Sequence, residues 1–133
     1  HQREFSDVTL EHVLADAGGM QLVRNPKQFD VIVTDNLFGD ILTDLGAALQ
    51  GGLGLAASGN IHPGRVSLFE PVHGSAPPLA GKNQANPAGA ILSSALMLEY
   101  LDFGEAAAAL ERAVRECIAA GETTRDLGGN FRR

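Results

Sequence analysis

The pattern of hydrophobic and polar positions divides the chain into short segments of two different periods. Residues 8–13 alternate as a strand does, with Val8 and Leu10 on one face. Residues 29–34 form a β-branched, almost wholly apolar run that is typical of a buried strand. A third, shorter strand is predicted at residues 66–69.

Four segments follow the 3.6-residue period of a helix: residues 16–24, 36–50, 86–101 and 105–120. Glycines mark three of their ends, with Gly51-Gly52 after the second, Gly104 after the third and Gly121 after the fourth. The stretches 53–65 and 71–86 are rich in Gly and Pro and lack a period, so they are predicted to be loops. Strands and helices in this order predict an α/β fold.

Charge and composition narrow the classes of function. The net charge of −6 and the presence of only two lysines argue against a nucleic-acid partner, which needs clustered cations. No apolar run reaches the roughly 20 residues that span a bilayer, so no membrane partner is expected. The single cysteine, Cys117, is expected to be a buried structural thiol, which suits a reducing cytoplasm. Residues 1–4 lack the apolar core of a signal peptide, and we expect the chain to begin mid-protein.

Three aspartates are candidate metal ligands. Asp40 and Asp44 lie four positions apart on a predicted helix, so their carboxylates project from one face. A hard cation such as Mg²⁺ or Mn²⁺ would relieve the repulsion between them. Asp16 lies in an apolar setting at a predicted strand-to-helix junction. Local features alone favour simpler roles, with the pair as solvated acids near a helix N-terminus and Asp16 as an N-cap.

A second candidate site is the stretch FEPVHGSAP, residues 69–77. A proline-bounded loop of small residues can bring backbone N–H and C=O groups against a flat ligand, and His73 could hydrogen-bond to a base or stack on it. The alternative is an ordinary turn with a surface histidine. The chain contains no GxGxxG phosphate loop, and its histidines are too scattered to suggest zinc.

Taken together, three segments carry a family resemblance. DNLFGDILTDL, GLAASGNI and FEPVHGSAPPLAGKNQANP, in this order and spacing, resemble the β-decarboxylating dehydrogenases of the 3-isopropylmalate dehydrogenase type. The nearest relatives of that type act on isocitrate, homoisocitrate and tartrate. The resemblance covers residues 8–129 and implies a partial chain with the isocitrate/isopropylmalate dehydrogenase-like fold, which is α/β but not of the Rossmann type. Residues 1–50, approximately, would belong to a metal-site and dimerisation domain, and residues 51–133 to a cofactor-binding domain.

The resemblance also implies roles for individual residues. Asp40 and Asp44 match the metal ligands of one subunit, and Asp16 matches an aspartate that the neighbouring subunit contributes to the same metal and substrate site. The active site would then be shared across a homodimer. His73 would lie beside the adenine and Asn86 near the nucleotide. The implied cofactor-binding residues form one continuous loop: His73, Gly74, Ser75, Ala76, Pro77, Pro78, Leu79, Ala80, Gly81, Lys82, Asn83, Gln84, Ala85 and Asn86.

Other parts of the family's site have no counterpart in this sequence. The tyrosine and lysine that transfer protons in the family, and the arginines that bind the substrate carboxylates, cannot be placed. No catalytic residue is therefore assigned, and the chain alone is expected to be inactive. Pro78-Leu79 replaces both the aspartate that NAD-using relatives carry and the basic–aromatic pair of NADP users. NAD, with Mg²⁺ or Mn²⁺, remains the favoured cofactor.

The implied activity is the oxidative decarboxylation of a 2-hydroxy acid with a β-carboxylate. The expected substrate is 3-isopropylmalate, in cytoplasmic leucine biosynthesis. A tartrate or homoisocitrate dehydrogenase is the alternative among enzymes. The alternative outside enzymes is a non-catalytic nucleotide-binding or oligomerisation module, which a start codon directly before His1 would favour.

Overall fold

The computed structural model describes residues 4–129, which form helices, short 3₁₀ turns and a two-stranded sheet. The chain divides into two compact units, His1–Gly46 and Ala47–Arg133. This division lies near the predicted boundary at residue 50, and the metal and cofactor roles of the two parts stay predictions. Within residues 4–129, no helix is long and apolar enough to cross a membrane.

Two helices organise the first unit. They are α1 (Ala15–Arg24) and α2 (Asn36–Leu49), the second of which runs on into the next unit. The carboxylate of Asp35 accepts the Phe38 N–H at 3.1 Å, which caps the start of α2 as the sequence predicts. Both helices match their predicted segments to within one residue.

Helices α1 and α2 lie near each other at Gly19. A Cβ atom at Gly19 would lie 3.7 Å from Leu42 Cδ2 and 4.0 Å from Leu45 Cδ2. These distances are ordinary van der Waals contacts, so leucines of α2 lie directly over the Gly19 backbone.

The strands predicted at residues 8–13 and 29–34 are not formed, and this part of the prediction is wrong. A strand needs a neighbour to bond its N–H and C=O groups, and the sheet found within the described residues lies wholly in the second unit. Val31 and Val33 are consequently 81% and 91% exposed. The apolar pattern of residues 29–34 indicates a tendency to be buried, but it carries no information about which partner would cover the segment.

A small antiparallel sheet lies near the start of the second unit. It pairs β1 (Ala57–Asn60) with β2 (Leu68–Pro71). The sequence predicts a loop at β1, which is wrong, because Ala-Ser-Gly-Asn has no strand signature and forms a strand only through pairing with β2. The strand predicted at residues 66–69 begins two residues later in the structure. Gly59 faces Phe69, and a Cβ on Gly59 would lie 2.9 Å from that ring, so the glycine leaves room for the aromatic side chain.

Helices α3 (Ala88–Tyr100) and α4 (Gly104–Ala119) pack against each other, and α3 also packs against both strands. The buried residues of α3 and α4 are small, so the backbones approach closely; they are Ala88, Gly89, Ser93, Ala95 and Ala107. A Cβ on Gly89 would lie 3.2 Å from the carbonyl oxygens of Gly54 and Ala56. The first turn of α3 is thereby pressed against residues 54–56, at one edge of the site described below.

The end of α4 departs from the sequence-based expectation. Cys117 is exposed, and the prediction of a buried thiol is wrong. The buried residue of α4 is Ala107, near its start, whereas residues 115–121 are all exposed. Helical spacing places Cys117 on a helix but does not reveal how far along the helix its packing against α3 extends.

Candidate functional site

A concave cavity of about 750 Å³ lies within the second unit. Its volume falls in the range of about 300–1,000 Å³ that is usual for small-molecule sites. Most residues of the loop 73–86 line it. The other lining residues are Gly54, Pro87 and three residues of a turn formed by residues 123–129, namely Thr124, Arg125 and Asp126. Pro77, Pro78 and Lys82 are the members of the predicted cofactor loop that are not among the lining residues.

The loop takes its shape from a series of tight turns. Ala76 adopts a left-handed conformation with φ 43°, and a 3₁₀ turn follows at Pro77–Leu79. Leu79 N–H donates to the Ala76 carbonyl at 2.9 Å, and Lys82 N–H donates to the Leu79 carbonyl at 3.1 Å. The two prolines fix their own φ angles, which reduces the conformational freedom of the loop at this turn.

His73 stands at one end of this loop and is partly buried. Its Nδ1 lies 2.9 Å from the carbonyl oxygen of Gly74. Since a carbonyl oxygen only accepts, this contact requires the proton on Nδ1 and leaves Nε2 of a neutral ring as an acceptor. The ring can therefore accept a hydrogen bond from an amino group or offer its face to a flat ligand.

Asn86 stands at the other end and uses both atoms of its amide. Its Oδ1 accepts the Ala88 N–H at 2.9 Å, at the start of α3, and its Nδ2 donates to Asp126 Oδ2 at 2.9 Å. The other carboxylate oxygen of Asp126 accepts from the Thr124 hydroxyl at 2.5 Å. The sequence predicts Asn86 as the N-cap of this helix; the helix begins at Ala88, and the asparagine side chain still bonds its first N–H.

The carboxylate of Asp126 is held in its charged form. Partial burial raises its pKa, but hydrogen bonds from Thr124, from Asn86 and from the backbone outweigh this effect, so the pKa lies below its ordinary value. Asp126 is therefore ionised at neutral pH and can accept both side-chain hydrogen bonds together.

Gly54 leaves the space in which these groups meet. A Cβ at position 54 would lie 2.6 Å from Asp126 Oδ2 and 2.9 Å from Asn86 Nδ2. The backbone of Gly54 is not in the left-handed region, so the reason for a glycine here is the absence of a side chain and not its conformational freedom. Any larger residue would push the Asn86–Asp126 hydrogen bond apart.

Arg125 is the one Lys or Arg side chain among the described residues that line the cavity. It is exposed, and within residues 4–129 it forms no ion pair. An arginine with no carboxylate partner at the rim of a cavity favours an anionic ligand there.

The three aspartates predicted to bind metal lie in the first unit and are all exposed. Asp40 and Asp44 are on α2, where a spacing of four residues places them on one face. Asn36 Nδ2 donates to Asp40 Oδ2 at 3.2 Å. Asp16 is the second residue of α1, and its Oδ1 accepts the N–H of Ala17. It is therefore not the N-cap, which is Leu14.

One chain does not bring the three aspartates together. Residues 4–129 contain no group of three or more His, Cys, Asp or Glu side chains close enough to hold a metal ion. The pair on α2 offers hard oxygen ligands that suit Mg²⁺ or Mn²⁺, and further ligands must come from outside the pair.

Thr124, Arg125 and Asp126 line the cavity but are not predicted as site residues from the sequence. Asp126 shows no notable local context, and residues 123–129 resemble an ordinary turn. The available signal was the run Thr124-Arg125-Asp126 before Gly128, which is typical of a structured turn. Its partner, Asn86, lies 40 positions earlier, so no local pattern could connect the two.

Comparisons with known proteins identify the family of this chain. The family model "Isocitrate/isopropylmalate dehydrogenase" matches residues 1–133, and the chain belongs to this family of β-decarboxylating dehydrogenases. It is 58% identical to 3-isopropylmalate dehydrogenase of Caulobacter vibrioides, over 98% of this chain. It is also 55% identical to isocitrate/homoisocitrate dehydrogenase of Thermus thermophilus, over 96% of this chain.

Solved structures share the fold. The crystal structure of isocitrate dehydrogenase from Methylococcus capsulatus superposes with a TM-score of 0.91 at 50% identity, over 95% of this chain and 37% of that one. The fold is thus the isocitrate/isopropylmalate dehydrogenase fold, of which this chain has a part. The chain spans 38% of the length of each of the two curated relatives named above.

Proposed function

We propose that this chain supplies the nucleotide site and part of the metal site of an NAD-dependent 3-isopropylmalate dehydrogenase. The observation that carries the proposal is the cavity of about 750 Å³ between the loop 73–86 and residues 124–126. Membership of the β-decarboxylating dehydrogenase family supplies the reaction class. The identity to the Caulobacter vibrioides enzyme supports 3-isopropylmalate as the substrate, and with it a proposed role in cytoplasmic leucine biosynthesis.

The cavity has the groups that a dinucleotide needs. Small residues of the loop, such as Gly74 and Ala76, expose backbone to a flat ligand without side chains in the way. The free acceptor of His73 suits the amino group of an adenine. Arg125, which has no ion-pair partner among the described residues, suits a phosphate. The turns of the loop hold this surface ready before the nucleotide arrives.

Asp40 and Asp44 are the residues of this chain that fit a divalent cation, and Asp16 would complete the set from a neighbouring subunit. The exposure of all three carboxylates leaves them accessible to a second chain. Asn36 would orient the Asp40 carboxylate through its hydrogen bond. A bound Mg²⁺ or Mn²⁺ would act as a Lewis acid toward the substrate's hydroxyl and adjacent carboxylate oxygens. We therefore propose a homodimer with two shared sites.

The net reaction constrains what these residues must do. A 2-hydroxy acid with a β-carboxylate gives its hydride to NAD and loses CO₂, and the hydroxyl proton ends on carbon, so no other oxidant is required. The loop 73–86 and the turn at residues 123–129 hold the nucleotide, which accepts the hydride. The protein positions the reactants and supplies the electrostatic environment around them. Asp40 and Asp44 contribute negative charge where a cation must be retained during the reaction.

One alternative substrate and one alternative cofactor are to be weighed against isopropylmalate and NAD. The Thermus thermophilus relative is named for isocitrate and homoisocitrate, so homoisocitrate is the second candidate substrate. NAD is favoured over NADP because neither Pro78 nor Leu79 can bind a phosphate, although Arg125 adds one positive charge to the cavity.

The test is a substrate panel with the full-length protein. Formation of NADH or NADPH is followed with Mg²⁺ or Mn²⁺ and with 3-isopropylmalate, isocitrate, homoisocitrate or tartrate in turn. We expect the highest kcat/KM for isopropylmalate with NAD. A higher value for another acid would replace the substrate assignment, and binding of NAD with no turnover of any acid would favour a non-catalytic nucleotide-binding protein.

A further inference from the structure

The turn at residues 123–129 is shaped by its own backbone. Leu127 N–H and Gly129 N–H both donate to the Thr124 carbonyl, at 3.1 and 3.0 Å, and Gly128 N–H donates to the Arg125 carbonyl at 3.0 Å. Thr123, the first residue of the turn, is buried. These bonds fix the form of the turn, but they do not fix where it lies relative to the loop 73–86.

Contacts with residues distant in the sequence hold the turn in position. Leu127 lies near Gly51, where a Cβ would be 3.7 Å from Leu127 Cδ2. On the cavity side, the Asn86–Asp126 hydrogen bond joins residues 40 positions apart. The second contact is directional and charge-assisted, so it constrains the orientation of the turn more closely than an apolar contact does.

We propose that Asp126 is a positioning residue of the nucleotide cavity, which holds the Asn86 amide and its own turn in the arrangement that the nucleotide requires. This inference rests on the proposed nucleotide-binding function. The two carboxylate oxygens of Asp126 accept different hydrogen bonds. Oδ1 accepts from the Thr124 hydroxyl within the turn, and Oδ2 accepts from the Asn86 amide at the end of the loop 73–86. Asn86 in turn accepts the Ala88 N–H, so the position of its amide is also tied to the start of α3.

The arrangement also determines which way the Asn86 amide faces. With Oδ1 bound to the backbone of α3 and one Nδ2 hydrogen bound to Asp126, the amide cannot flip without breaking both bonds. The adjacent Arg125 is held at the cavity rim by the same turn. Loss of the Asn86–Asp126 hydrogen bond should therefore weaken nucleotide binding even if neither residue touches the nucleotide.

An exchange of the two side chains tests this. Asp126→Asn turns an N–H group toward either Thr124 or Asn86, and Asn86→Asp places two carboxylates against each other. The double variant Asn86→Asp/Asp126→Asn restores the bond in the reverse direction. The carboxylate at position 86 can then accept from the new amide and from Ala88 N–H, while the amide oxygen at position 126 accepts from Thr124.

The measurements use the full-length protein, with Kd for NAD by calorimetry, kcat and the KM of the acid substrate at saturating NAD, and the thermal midpoint. We expect each single variant to weaken NAD binding by about tenfold, as befits a charge-assisted hydrogen bond, with kcat and the acid's KM within about twofold of wild type. The double variant should return to within about threefold of the wild-type Kd. Glu122→Gln is the matched control, because it removes a carboxylate that is exposed and lies outside the cavity.

Several outcomes would overturn the proposal. A double variant as weak as the weaker single variant would mean that the two side chains do not act through the hydrogen bond between them. Unchanged or tighter binding in Asp126→Asn would mean that the pair has no positioning role, and unfolding of all three variants would assign the pair to folding alone. Failure of the wild-type protein itself to bind NAD would instead refute the proposed function.

Discussion

The side-chain amide of Asn86 donates to a carboxylate oxygen of Asp126 across 2.9 Å, although the two residues lie 40 positions apart in the sequence. This bond joins the end of the loop 73–86 to the turn that faces it. The cavity between them therefore has two walls from distant parts of the chain, and its shape depends on contacts that can be changed one at a time.

The space left by Gly54 gives the first prediction. In the full-length protein, Gly54→Ala should weaken NAD binding by about tenfold, because the new methyl group would lie 2.6 Å from Asp126 Oδ2 and displace it from Asn86. Gly104→Ala is the control, since a Cβ there meets nothing within 4 Å. Calorimetric titration of NAD into both variants decides the matter. Equal affinities would show that the cavity tolerates separation of the pair.

The lowered pKa of Asp126 predicts an acid-sensitive contribution to stability. A carboxyl group whose folded pKa is depressed stabilises the fold at a pH above its ordinary pKa, and the contribution is lost as the pH falls through the lower folded value. The excess stability of wild type over Asp126→Asn should thus be constant near neutrality and shrink in acid. Denaturant unfolding across this range measures it. A difference that grows on acidification would contradict the assignment.

Arg125 predicts a salt-dependent part of nucleotide affinity. Arg125→Gln should weaken NAD binding by about five- to tenfold at low ionic strength, and the loss should become smaller as salt screens the pyrophosphate charge. Arg115→Gln removes the same charge from α4, where the guanidinium is 4.0 Å from Glu111 and 76% exposed. Both Kd values are measured over a range of salt concentrations. A parallel loss in the two variants would indicate an effect of overall charge and not of the cavity.

The proposed sharing of the metal site predicts complementation between subunits. Asp16→Asn and Asp40→Asn should each be nearly inactive as homodimers. If Asp16 serves the site of the partner, a mixed dimer contains one intact site and one doubly damaged site. Its activity should then reach about half that of wild type, by counting sites on a two-fold interface.

The control for that experiment mixes Asp40→Asn with Asp44→Asn. Both aspartates belong to α2 of one chain, so every site in such a mixed dimer is damaged and no activity should return. If the three aspartates do not share a metal between chains, neither mixture should recover activity, even when subunit exchange has been demonstrated.

The sequence predicted the helices well, because each helix makes its backbone bonds within its own segment. The period of α2 and the capping by Asp35 are local properties, and so is the glycine-proline composition of residues 71–86. The strands were predicted less well. Residues 29–34 have the composition of a strand but no partner among the described residues, and β1 has a partner but not the composition.

The same contrast applies to the candidate site. The loop 73–86 could be recognised from a long contiguous motif, whereas Asp126 gains its importance only from the folded position of Asn86. The role of Gly54 was likewise invisible, since its environment is made of side chains from positions 86 and 126. Local patterns in the sequence therefore identify the loop 73–86 but not the lining residues 124–126.

The most direct test of the central claim is a crystal structure of the full-length protein with bound NAD. We expect the adenosine part of NAD to occupy the cavity between residues 73–86 and 124–126, with Arg125 toward a phosphate and with the Asn86–Asp126 hydrogen bond intact. Density for the nucleotide outside this cavity would refute the proposed nucleotide site, and a complex in which Asn86 and Asp126 have moved apart would refute the positioning role of Asp126.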